Sequence, residues 1–248
     1  MPPAPVLPHR TQRPRSLAAA LSALALALAS HAACAARAAS AAAAAPPCPP
    51  APTRLLERAI PADCLSCWQA LDDAPSRTLV LDWIVPSADE GDLSVAALPE
   101  AAERFPDART PARREQPLAP PKGTRLEVSS GLAWNGYVGL SFVLRAPAKA
   151  PWPADAAGYV ALVERIPAGT DGSTSARQLV RAVAGPLSLQ RPPGKAPLQH
   201  LVAVRLPANG EPGRFAAAGW VDSGSGAERH TWLAAESAPA DCRAPKRR

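Results

Sequence analysis

TRLLERAIPADCLSCWQALDDAPSRTLVLDWIV, residues 53–85, is the stretch whose reading decides the fold. Its last eight residues, TLVLDWIV (78–85), are nearly continuously apolar, the pattern of a strand buried on both faces. Pro86 ends that strand. TRLLERAI (53–60) is apolar with a charged interruption and fits a strand or a short helix; Pro61-Ala62-Asp63 breaks it. Asp63 is a good N-cap for a helix over CLSCWQALDD (64–73), which Pro75 stops. Further on, Asp89, Glu90 and Asp92 make an acidic turn. Val95, Leu98, Ala102 and Phe105 then recur at helical spacing, with Pro99 kinking or restarting the helix. Residues 53–105 therefore predict β-α-β-α with a Cys-x-x-Cys at the start of the first helix.

Downstream the chain changes character. Residues 106–123 read as a Pro- and Arg-rich connection. Strands are predicted at 126–128, at 137–145 with Val138, Leu140, Phe142 and Leu144 on one face, and at 158–166. Residues 169–175 form a polar loop. Ala176, Leu179, Val180 and Val183 make one helical stripe, stopped by Gly185-Pro186. Strands at 198–206, 214–222 and 230–235 complete the chain, and Asn209-Gly210 and residues 223–226 suit hairpin turns.

The ends differ from the body. The chain has 248 residues and a formal net charge of +6. Arg10, Arg13 and Arg15 lie in the first 34 residues, and Arg243, Lys246, Arg247 and Arg248 in the last six. The body between them is nearly neutral, which argues against a basic face following a phosphate backbone; no nucleic acid is expected. Residues 16–30, SLAAALSALALALAS, are uncharged and too short to span a bilayer comfortably, and small residues follow. Residues 1–34 thus read as a signal peptide, and the protein as exported, periplasmic or extracellular, with no transmembrane segment in the mature chain. Lipidation at Cys34 is disfavoured because His31 stands where an aliphatic residue normally precedes the lipidated cysteine. Residues 35–52, rich in Ala and then Pro, read as an extended spacer. A domain over 53–240 and a basic tail over 241–248 follow.

Once Cys34 leaves, four cysteines remain, an even number that suits two disulfides in an exported protein. Of three pairings, Cys64–Cys67 with Cys48–Cys242 is favoured: a local pair, and a structural clasp joining the ends of the domain. A loop that long contributes about 4–5 kcal/mol in the chain-entropy model. The alternatives join Cys48 to Cys64 or Cys67 and make every cysteine structural.

Cys64-Leu65-Ser66-Cys67 is the candidate for chemistry. At a helix start, the dipole and free N–H groups stabilise a thiolate on Cys64, the attacking sulfur, with Cys67 one turn on to resolve it. Structural disulfide, thiol–disulfide exchange and metal transfer are all open uses of such a pair; two thiolates alone make an incomplete metal site, and none is expected. The β-α-β segment with this motif resembles a thioredoxin-like domain. More narrowly it resembles the exported thioredoxin-like family of unknown function (DUF1223-like), through CLSC, TLVLDWIV and YVALVERIPAGTDGSTSARQLVRAV (159–183). That resemblance implies an α/β thioredoxin-like core with a β-rich C-terminal half, Cys64 and Cys67 as catalytic residues, and exported protein thiols as partners. It also implies a cis-proline facing the pair, for which Thr110-Pro111 is the nearest candidate. From another class, the alternative is a β-rich envelope binding module with purely structural disulfides.

Nothing else in the sequence carries a catalytic or cofactor fingerprint, so no cofactor is expected. His200 and His230 lie in strand patterns. Asp89, Glu90 and Asp92 lack calcium-loop spacing. Six tryptophans, with three Phe and two Tyr, supply the large side chains of the core, and Trp134-Asn135-Gly136-Tyr137 is the best exposed aromatic turn.

Overall fold

The computed structural model describes residues 48–70, 73–147, 150–190, 196–239 and 242. The leader, most of the spacer and nearly all of the basic tail lie outside them.

Among the described residues, ten strands and two short α-helices make the fold. They are β1 (Arg54–Pro61), α1 (Leu65–Gln69), β2 (Thr78–Val85), α2 (Pro99–Arg104), β3 (Ala112–Pro117), β4 (Arg125–Trp134), β5 (Tyr137–Arg145), β6 (Ala157–Ile166), β7 (Arg177–Ser188), β8 (Leu198–Arg205), β9 (Phe215–Ser223) and β10 (His230–Glu236). Seven strands form one sheet in the order β10-β9-β6-β7-β2-β1-β3, and β4-β5-β8 form a second. β1, β2 and β7 run parallel; the remaining pairs are antiparallel.

This overturns the expected α/β thioredoxin-like core. The β1-α1-β2 unit does form, but α1 has five residues and α2 six. Neither helix layers a sheet, and a second sheet does the covering instead. Three local readings change with it. Residues 112–117 form β3, an edge strand of alternating half-buried and exposed residues, within what reads as a connection. The stripe at 176–183 is no helix: all of it after Ala176 lies in β7. A bulge around Arg181 (Val163 pairs with Val180, Leu162 with Ala182) inverts the alternation, so Val180 and Val183 share one core face three residues apart. Asn209-Gly210 does not close a hairpin, because β8 and β9 belong to different sheets.

The seven-stranded sheet is buried on both faces. Its inner face encloses Leu55, Leu79, Leu81, Trp83, Val163 and Trp220, with Phe105 beyond α2 packed against them. The sheet curls until its edges touch: Gln116 of β3 accepts from the Thr231 amide and donates to the Arg229 carbonyl. On the outer face, the β4-β5-β8 sheet covers β6, β9 and β10 through Leu140, Phe142, Val160, Leu162 and Val221. Glycine permits this contact: a Cβ at Gly158 would stand 2.7 Å from the Phe142 ring, and one at Gly219 2.6 Å from Val128. The rest of the outer face packs Ile60, Ile84 and Leu179 against Trp68 of α1.

Candidate functional site

Adjacent residues on a strand point to opposite faces of a sheet, so Glu57 and Arg58 of β1 lie on opposite sides, as do Asp82 and Trp83 of β2. All four are buried. On the outer side, Arg58 grips Asp82 with two bonds, Nε to Oδ1 at 2.6 Å and Nη2 to Oδ2 at 2.7 Å. Asp82 also accepts from the Gln178 amide at 2.9 Å and from Arg177 at 3.5 Å. Arg177 then reaches the segment carrying the cysteines: Nη2 donates to the carbonyls of Trp68 (2.8 Å) and Ala70 (2.7 Å), and its guanidinium lies 5.3 Å from the centre of the Trp68 ring. The loop before β7 closes the clamp, with the Trp68 indole donating to the Asp171 carbonyl at 2.8 Å.

Cys64 and Cys67 are disulfide-bonded, as are Cys48 and Cys242, with Cα separations of 5.3 and 4.7 Å, inside the usual range. The helix expected over 64–73 begins at Leu65 and ends at Gln69, with Cys64 at the N-cap position and no side-chain cap from Asp63 or any other residue. A helix of little more than one turn has a weak dipole, which removes much of the expected thiolate stabilisation. Both cysteines are half-buried. Cys67 lines a cavity of about 450 Å³ together with Ser66, Pro111, Arg58, Arg113 and Arg177. Two of its three arginines, Arg58 and Arg177, are paired with Asp82, and Arg113 stands 3.6 Å from Glu115. Pro111 lines the same cavity as Cys67, but the cis peptide among the described residues is Gly185–Pro186.

The histidines take no part here. His200 meets the Ser188 carbonyl at 2.9 Å, and the His230 ring stands edge-on to Trp232 at 4.5 Å. Among the described residues, no group of three or more His, Cys, Asp or Glu is arranged to hold a metal, and no helix is long and apolar enough to cross a membrane.

The aromatic turn sits elsewhere. Asn135 and Gly136, both at positive φ (49° and 76°), close the β4–β5 hairpin in two residues, with Trp134 opposite Tyr137. Val138, Leu140, Phe142 and Leu144 face the core, so Tyr137, its partner Arg205 on β8, and Leu201, opposite Ser141, face outward. Leu132, Trp134, Tyr137 and Leu201 are 95%, 77%, 52% and 75% exposed, which concentrates large apolar side chains on the outer surface of one small sheet.

Sequence reasoning missed the buried charges: Glu57, Arg58, Asp82, Arg104, Arg177 and Asp222. A signal was available in single charged residues set within apolar strand runs, above all Asp82 in TLVLDWIV.

No family model matches the chain, and no curated protein does either. Among solved structures, the chain is similar to HBP35 of Porphyromonas gingivalis, with a TM-score of 0.52 and 11% identity over 80% of this chain and 78% of that one. At that identity the likeness is one of fold alone.

Proposed function

We propose that the protein is a non-enzymatic, exported β-rich binding module whose disulfides are structural staples. Its binding surface is the outer face of the β4-β5-β8 sheet. The exposure of Leu132, Trp134, Tyr137 and Leu201 on this small sheet carries this reading. Tryptophan, tyrosine and arginine are the residues that dominate binding energy at protein interfaces. Arg205, exposed beside Tyr137, sets the chemistry of the occupant: a partner protein presenting an apolar strip with a carboxylate next to it. Export is supported by the paired cysteines and by the leader-like pattern of residues 1–34.

Site-specific photo-crosslinking in the cells that make the protein tests this. Probes at positions 134 and 201 are expected to give one discrete heterologous adduct, weakened by Arg205→Glu, while a probe at exposed Asp107 gives none. Equal adducts at all three positions, or none at any, overturn it. An adduct of twice the chain's own mass replaces the partner with a second copy.

Thiol–disulfide exchange is the second reading. Cys67 favours it by lining a cavity, where a partner's thiol can reach it. A reduction potential for the 64–67 pair below about −300 mV, the range of structural disulfides, removes this reading.

A further inference from the structure

The inner face of the seven-stranded sheet holds a second charge network, separate from the cysteines and from the aromatic face. At its centre is Arg104, the last residue of α2, buried among apolar side chains. Its Nε donates to Glu57 Oε1 on β1 and its Nη1 to Asp222 Oδ2 on β9 at 2.7 Å. Its guanidinium carbon lies 5.4 and 5.2 Å from the ring centres of Trp83 and Trp220. Asp222 is well served, accepting also from the Trp220 indole (3.0 Å) and the Thr231 hydroxyl (2.6 Å).

The other groups around Arg104 are not. Arg104 Nη2, Trp83 Nε1, Arg114 Nη1, Arg229 Nε and Glu57 Oε2 are buried with no hydrogen-bond partner among the described residues. They belong to one neighbourhood. Arg114 is the direct cross-strand neighbour of Glu57 on β3, and its side chain packs over Phe105, the residue after Arg104. Arg229 Nη1 stands 3.6 Å from the Asp222 carboxylate. Burial pulls the Arg114 guanidinium below its ordinary range; Glu57 and Asp222 support its charge, while Arg104 and Arg229 press against it.

An unpartnered buried polar atom is destabilising, and several in one neighbourhood call for a common partner. The balance identifies its sign. Four of the five atoms are donors and one is an acceptor, and three guanidinium groups face two carboxylates, a formal charge of +1. A water molecule accepts at most two hydrogen bonds; an anion accepts from every donor around it. We infer that Arg104, Arg114 and Arg229, with the Trp83 indole, form an internal binding site for a small inorganic anion. Its occupation ties β3, α2 and the start of β10 together across the curled sheet.

Thermal melting of the purified protein tests this at constant ionic strength, with chloride, or phosphate in a second series, replacing gluconate, an anion too bulky to enter. Chloride or phosphate is expected to raise Tm progressively, with the logarithm of its concentration once that exceeds Kd, as a bound ligand does. With chloride the ³⁵Cl resonance should also broaden. Arg114→Met, at a half-exposed edge-strand position, is expected to abolish both effects, and Arg229→Leu to weaken them. If melting is the same in chloride, phosphate and gluconate, and the chloride line is unbroadened, the groups are served by water and the inference fails. An anion-specific response that Arg114→Met leaves intact overturns it as well, since the anion then binds elsewhere.

Discussion

The two faces of the β1–β2 pair carry inverted charge arrangements built from neighbouring residues. Outside, one carboxylate, Asp82, stands between two arginines, Arg58 and Arg177. Inside, one arginine, Arg104, stands between two carboxylates, Glu57 and Asp222. The difference lies in where the remaining hydrogen-bonding capacity goes. Arg177 spends its surplus donors on the main chain of the cysteine-bearing segment and on Ser173, so the outer network is a fastener. The inner network leaves donors over, and that surplus makes it a receptor. Equal burial and similar composition therefore support different roles.

The comparison breaks most readily at the single carboxylate. Asp82→Asn keeps the shape of the side chain but leaves two guanidinium groups buried without their counter-charge. Destabilisation of about 3–5 kcal/mol is expected, the range for removing one partner of a buried ion pair. Arg104→Met is expected to cost less, about 3 kcal/mol, the low end of that range: Glu57 loses the guanidinium bonded to it, but Arg114 stands opposite it on β3. Asp222 keeps Thr231, Trp220 and Arg229 nearby, and methionine still fills the gap between the two indoles. Urea unfolding of the two variants beside the parent measures both, and the reverse order would mean that the inner network holds the fold.

Much of this was legible from sequence, and the rest was hidden for identifiable reasons. Strands 78–85 and 137–145 can be read directly, because a continuous apolar run and a clean alternation each have one good structural solution. The bulge in β7 places apolar residues three apart on one face and so imitates a helix. β3 hides because an edge strand made of ARREQ buries little. The β1-α1-β2 unit is real, but such a unit does not say whether helices or a second sheet will cover its faces, and that choice separates the expected α/β core from this one. The charge sites show the sharpest divide. Glu57, Arg58, Asp82 and Asp222 announce themselves as charges in apolar runs. Their partners do not: Arg104 lies 47 positions from Glu57 and 118 from Asp222, and only the curl of the sheet brings them together.

The smallest effect is expected where the sequence placed the chemistry. A disulfide closing the four-residue loop from Cys64 to Cys67 restricts the unfolded chain very little, about 2 kcal/mol in the chain-entropy model and commonly less in practice. The segment it closes is held independently, by Arg177 at the Trp68 and Ala70 carbonyls and by the Trp68 indole at Asp171. The double variant Cys64→Ser, Cys67→Ser should therefore unfold at nearly the parent's denaturant midpoint, with amide exchange in 64–70 little changed. Arg177→Met, with the disulfide intact, should speed that exchange markedly. If instead the serine variant frees the segment and the methionine variant does not, the disulfide is the fastener and Asp82 with its two arginines merely fills the outer face.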